Sequence, residues 1–300
     1  MIRILSYKEL KETEKEAVFQ QTGQLSPHIL KEIRFHQDVI PESALFAFAS
    51  EKKTGLLAAN APKKAELLGL GVLMRNPADT YVSLEFDVDV RDSRGVDAAV
   101  GLMNHLMDCF DSLHEEEPEK YGTLRMWCKK SDTALLEFLN DCGFSEKNEM
   151  LKMRKAFEPE KTASEPFEML DLLRESEMEE YLNANAEGFG IPDSPNEMRF
   201  RIFHCQARVF GVKSKDRMIA CVTVWPEKDG WSATENVFCR TDFRRQGITS
   251  GLLLAVHQML RKEGAVGACL NVYADDEPAI RMYEKIGYRE TGRLVELHYQ

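Results

Sequence analysis

Between residues 232 and 264 the apolar pattern changes period once, and that change restricts the chain to a layered α/β arrangement. Residues 232–239 read as a strand, and a polar break follows at Arg240-Thr241-Asp242. From Ile248 the apolar residues Leu252, Leu253, Leu254, Val256, Met259 and Leu260 recur at helical spacing up to Gly264. A strand that hands over to an amphipathic helix needs a sheet on which that helix can lay its apolar face.

The flanking segments supply the sheet. Residues 167–170 read as a strand and 175–187 as a helix ending at Gly188. Residues 208–212 and 218–224, parted by Ser214-Lys215-Asp216, read as a hairpin. Residues 266–272 read as a strand, 278–285 as a helix closed by Gly287, and 294–299 as a last strand. This order predicts a mixed, mostly antiparallel central sheet flanked by helices, not a doubly wound one.

The first half repeats the later part of that order. Residues 67–74 and 81–90 read as adjacent strands, 96–110 as a helix, 124–128 as a strand and 134–139 as a helix ahead of Gly143-Phe144. A chain of 300 residues is long enough for two cores. The stretch between Phe157 and Phe167 has two prolines and no apolar period, so the expected division is 1–157, a linker at 158–166, and 167–300. The acidic cluster Glu115, Glu116, Glu117 and Glu119 is expected as a solvated loop between elements.

Charge removes several classes of partner. Lys and Arg number 39 against 50 Asp and Glu, a net charge of -11, the reverse of what an extended phosphate backbone needs, so nucleic acid is not an expected partner. There is no apolar run of signal-peptide or membrane-spanning length, which predicts a cytoplasmic protein that does not engage a membrane. The seven cysteines are odd in number and widely spaced, without a Cys-x-x-Cys pair, and read as reduced thiols. No His-Glu-x-x-His or zinc-knot spacing occurs, so no metal is expected.

Chemistry concentrates in Cys239-Arg240-Thr241-Asp242-Phe243-Arg244-Arg245-Gln246-Gly247-Ile248-Thr249-Ser250. A glycine entering a helix beside Arg244 and Arg245 is built like an anion cradle, because the unpaired first-turn amides converge on oxygens. It is neither a Walker A loop nor the Gly-x-Gly-x-x-Gly of dinucleotide folds. A second segment, residues 270–288, carries Asp276, Ala279, Tyr283, Gly287 and Tyr288. Together the two segments resemble the GCN5-related N-acetyltransferase (GNAT) superfamily. Its members carry an Arg-x-x-Gly-x-Gly/Ala turn for the coenzyme A pyrophosphate and a later Asn-x-x-Ala-x-x-x-Tyr-x-x-x-Gly-Phe helix. Residues 167–300 are covered, with Thr249 in place of the usual Gly or Ala and Asp276 in place of the usual Asn.

The resemblance implies two tandem GNAT-like α/β domains and a set of roles. Arg244, Arg245, Gln246, Gly247, Ile248, Thr249 and Ser250 would hold the pyrophosphate of acetyl coenzyme A. Backbone groups of Val237 and Cys239 would pair with its pantetheine arm, and Asp276 and Ala279 would contact it. Tyr283 would protonate the departing thiolate. Glu235, four residues before Cys239 and so on the same strand face by alternation, would take the amine proton. In the first half Asp92 and Asp97 stand opposite Arg244 and Thr249, and Leu139 stands opposite Tyr283, which implies a degenerate copy. The implied activity is direct acetyl transfer to a primary amine of a small molecule, without a metal, by a chain whose paired domains suit a monomer. O-acyl transfer and an acyl coenzyme A-binding regulatory module without turnover are the alternatives. Met198, Phe203, His204, Trp225 and Trp231 are candidates for the border of an acceptor site.

Overall fold

The computed structural model describes residues 2–7, 9–10, 15, 44–49, 66–75, 80–158, 167–170, 174–189, 195–215 and 217–300. The expected linker therefore lies outside the described residues, apart from Glu158. The chain divides into two compact units, Met1–Lys147 with Val295–Gln300, and Asn148–Leu294.

The first unit holds β1 (Ile2–Ser6), β2 (Leu45–Ala49), β3 (Glu66–Met74), β4 (Val82–Val88), α1 (Ser93–Glu116), β5 (Leu124–Lys129) and α2 (Thr133–Asp141). β1 to β4 pair antiparallel in chain order, and β4 pairs parallel with β5. The 24-residue helix α1 buries Ala98, Ala99, Leu102, Met103, Leu106, Phe110 and Leu113, a stripe at three- and four-residue steps, against Val82, Leu84 and Phe86. Glu115 and Glu116 are exposed but continue α1 instead of lying in a loop, because Leu113 still has core to cover.

β6 (Ser145–Ala156) begins at the end of the first unit and runs into the second. The second unit continues with β7 (Glu168–Leu170), α3 (Glu175–Phe189), α4 (Pro195–Cys205), β8 (Arg208–Ser214), β9 (Arg217–Pro226), β10 (Trp231–Cys239), α5 (Ile248–Lys262), β11 (Gly267–Tyr273), α6 (Glu277–Lys285) and the start of β12 (Arg289–Tyr299). β7 to β10 pair antiparallel in chain order, β10 pairs parallel with β11, and β11 pairs antiparallel with β6 over seven residues. Alternation along β9 sorts the core into two faces. Ala220, Val222 and Val224 meet Leu252, Leu253 and Val256 of α5, whereas Cys221 on the other face packs with Tyr181 and Ala184 of α3.

The expectation of a mixed, mostly antiparallel sheet flanked by helices holds within each unit, where one parallel pair, β4 with β5 and β10 with β11, joins the antiparallel ones.

Candidate active site

β10 and β11 pair only at Trp231↔Gly267, Ser232↔Ala268 and Ala233↔Cys269. Beyond that point the strands run on to Cys239 and Tyr273 without pairing to each other, and a cleft of about 830 Å³ opens along the fork.

A bulge shapes the β10 wall. Glu235 lies opposite Thr223 and Phe238 opposite Cys221, so three steps on β10 match two on β9. Asn236 takes up the extra residue with φ 47° and donates from Nδ2 to the Tyr181 hydroxyl at 3.0 Å, which is itself 3.1 Å from Thr223 Oγ1. This overturns the alternation argument for Glu235. Its partner Thr223 and the Cys239 partner Ala220 are three residues apart on β9, so Glu235 and Cys239 point to opposite faces of the sheet. Both nevertheless line the cleft. The broken period of Glu235-Asn236-Val237-Phe238, two polar residues followed by two apolar ones, was the available signal.

The loop after β10 closes on itself. Arg244 donates from Nε to the Cys239 carbonyl at 3.0 Å, and Gln246 donates from Nε2 to the Asp242 carbonyl at 3.3 Å. Arg245 (φ 61°) and Gly247 (φ 79°) both adopt the left-handed region, which turns the chain into α5. A Cβ at Gly247 would meet nothing within 4 Å, so glycine serves the backbone conformation there and not clearance. No side chain caps α5, which leaves its first-turn amides open beside two guanidinium groups, a combination that favours an anion.

α6 forms the facing wall. Asp276 caps it by accepting from the Ala279 amide at 3.1 Å. Tyr283, 6% exposed, lines the cleft with its ring edge-on to Tyr288 at 5.6 Å. Its hydroxyl makes no hydrogen bond among the described residues, and burial, followed by the nearby Asp276 charge, pushes its pKa well above the ordinary phenol range. The group is therefore a proton donor throughout the neutral range.

Of the residues singled out from sequence, Glu235, Val237, Cys239, Arg244, Arg245, Gly247, Ile248, Thr249, Ser250, Asp276, Ala279 and Tyr283 all line this cleft. Gln246 does not, since its amide is folded back on the loop. Met150 of β6 and Phe189 at the end of α3 also line it, and their sequence surroundings carry no signal for that position. Met198, Phe203, Trp225 and Trp231 are not among the lining residues. Met198 is in the core, Trp225 donates to Glu227 at 3.3 Å, and Trp231 lies under Arg154. The His204 side chain lies outside the described residues.

The corresponding turn of the first unit is built differently. Asp92 caps α1 by accepting from the Gly95 amide at 2.7 Å, so its own carboxylate takes the place an anion would need. A Cβ at Gly95 would overlap the Asp89 carbonyl, and Arg91 and Arg94 are paired to Asp89 and Glu66. Leu139 is fully buried, and Phe138 stacks on Phe86 at 6.2 Å. Neither can donate a proton.

Among the described residues no group of three or more His, Cys, Asp or Glu side chains is placed to hold a metal, and no helix is long and apolar enough to cross a membrane. Among the described residues, none of the seven cysteines is joined in a disulfide.

The acetyltransferase (GNAT) family model matches residues 154–288, a span inside the second unit. A mycothiol acetyltransferase of Brachybacterium faecium is 26% identical over 193 residues, 57% of this chain, and the match spans 58% of that relative's length. A GCN5-related N-acetyltransferase from Sphaerobacter thermophilus shares the fold with a TM-score of 0.68 at 14% identity, over 99% of this chain and 95% of that one. A tandem GNAT protein from the clavulanic acid biosynthesis pathway does so with a TM-score of 0.65 at 13% identity, over 100% and 98%.

Proposed function

We propose that this chain belongs to the GNAT superfamily of acetyl coenzyme A-dependent acetyltransferases, a reading supported by the family model that matches residues 154–288, and that it transfers an acetyl group directly to a primary amine of a small molecule. The observation that carries the reading is the fork itself: an open, uncapped helix start with Arg244 and Arg245 beside it and a buried, protonated Tyr283 on the facing wall.

Acetyl coenzyme A supplies the acyl group as a thioester, and its anionic end suits the α5 amides and the two arginines. Where β10 leaves β11, the backbone edges of Val237 and Cys239 are free of that neighbour and can pair with an extended amide-bearing arm. Glu235 accepts the proton of the acceptor ammonium, so that a neutral amine is presented. Tyr283 holds the proton that the departing thiolate needs. Transfer of this kind calls on no metal.

In this reading residues 1–157 are a degenerate GNAT-like copy, 158–166 connect, and 167–300 carry the chemistry. The self-capped helix start at Asp92 and the apolar Leu139 support loss of function in the first copy. A single-chain monomer in the cytoplasm is the accompanying proposal.

Isothermal titration of acetyl coenzyme A into the wild type and the R244A/R245A double variant tests the reading. One site per chain, weakened at least about tenfold by the loss of two charge-assisted contacts, is the expected result. Two sites would return the first unit to service, and no binding would end the enzymatic reading.

A further inference from the structure

Three buried polar side chains meet where β10 and β11 part. Thr234 is the first residue of β10 beyond the last paired position, and its Oγ1 donates to the carbonyl of Cys269 on β11 at 3.2 Å. The same oxygen is 3.2 Å from the Tyr288 hydroxyl, and that hydroxyl is 2.8 Å from Nε2 of His257 on α5. Thr234, Tyr288 and His257 are each at most 2% exposed.

Proton counting gives this chain one direction. The single Thr234 hydroxyl proton is committed to the Cys269 carbonyl, so Thr234 Oγ1 accepts from Tyr288. The Tyr288 oxygen, its proton spent, accepts from His257 Nε2–H. That tautomer leaves Nδ1 without a proton, and Nδ1 is the ring nitrogen with no partner among the described residues. Burial and the neighbouring Lys155 charge keep the imidazole neutral, which this arrangement requires.

The chain of bonds ties together α5, the turn that follows α6, β10 and β11 at the root of the cleft. Tyr288 also sets its ring edge-on against Tyr283. We propose that His257, Tyr288 and Thr234 are positioning residues: a polar clasp that sets how far β10 stands from β11 and holds Tyr283 at the height of the thioester. The proposal rests on the donor-site reading above. It concerns the narrow arm of the donor and not its nucleotide end, because the clasp lies at the fork root and His257 stands nine residues beyond Ile248, the first residue of α5.

The test is calorimetric titration of the full chain with two ligands, acetyl coenzyme A and adenosine 3′,5′-bisphosphate, the latter offering only the nucleotide end. Thr234→Val and Tyr288→Phe each remove one hydroxyl at nearly constant shape and are expected to weaken acetyl coenzyme A about tenfold while leaving the bisphosphate within about twofold. Thr234→Ser, which keeps the hydroxyl, is expected to match the wild type for both. Unchanged acetyl coenzyme A affinity in both hydroxyl-less variants overturns the clasp. So does parallel loss of both ligands, which marks a general structural role, and so does a Thr234→Ser chain that behaves like Thr234→Val. A wild type that binds no acetyl coenzyme A overturns the donor site itself, and the clasp with it.

Discussion

The guanidinium of Arg240, 6% exposed, is paired with the carboxylate of Glu187 at the end of α3, and its Nε donates to the Met218 carbonyl at 2.7 Å. Gly188 follows, packed so closely on Phe238 that a Cβ there would overlap the ring. The end of α3 and the start of the arginine-bearing loop are thus one mechanical piece. Glu187→Ala leaves a buried charge short of its partner, and because Glu187 is itself 43% exposed the expected cost is about 2 kcal/mol, below that of a fully buried pair. Urea midpoints check it, with Arg281→Ala, which breaks an exposed pair on α6, as the control expected within about 0.5 kcal/mol.

Acid should act through His257. Burial, then Lys155, lowers its pKa to about 3 from an ordinary value near 6.5. Below pH 6.5 the unfolded chain binds a proton that the folded chain refuses, so this contribution to stability is lost as pH falls toward 3, at up to about 1.4 kcal/mol per unit. Comparing urea unfolding at pH 6.5 and 4.5, the wild type is expected to lose more stability than His257→Gln. Equal losses contradict the assignment.

Tyr283→Phe is expected to lower kcat about 100-fold, the usual scale for a general acid, with acetyl coenzyme A affinity little changed. Since burial holds the phenol protonated well past its ordinary range, the wild type should show no alkaline loss of kcat from this residue below pH 10. A pH–rate profile falling near pH 9 only when Tyr283 is present would contradict the effect of burial on the phenol, and an unchanged kcat in Tyr283→Phe would contradict the role.

The two helix starts should respond differently to the same change. Gly95→Ala places a Cβ inside the Asp89 carbonyl and is expected to destabilise the chain by about 3 kcal/mol without touching donor binding. Gly247→Ala meets open space and strains only φ 79°, at about 1 kcal/mol, yet it should weaken acetyl coenzyme A. Thermal melts and titration side by side separate the two.

Much of this was legible in the sequence because the decisive signals are local. The period change into α5 and the glycine that enters it at 247 each need only their neighbours. The bulge at Asn236 showed only as a broken period without its cause, since the interrupting residue serves a bond to Tyr181, on a helix 55 residues earlier. β6 was not legible. Residues 150–155 show an alternating pattern, but their charged members gave no hint of a strand paired along β11. The Thr234–Tyr288–His257 contacts join residues far apart in the chain, and nothing in the spacing of a Thr, a His and a Tyr announces them.

β12 gives the fold an order of completion in time. Its Arg289–Leu294 stretch counts with the second unit, while Val295 and Leu297 fill the core of the first and Tyr299 packs on Phe110 and Phe144. A ribosome delivers the first unit's opening 147 residues early, but the residues that finish its core emerge only after the whole second unit has been made. The first half must wait, partly open, through the synthesis of its neighbour, and a stall late in translation leaves both halves unfinished.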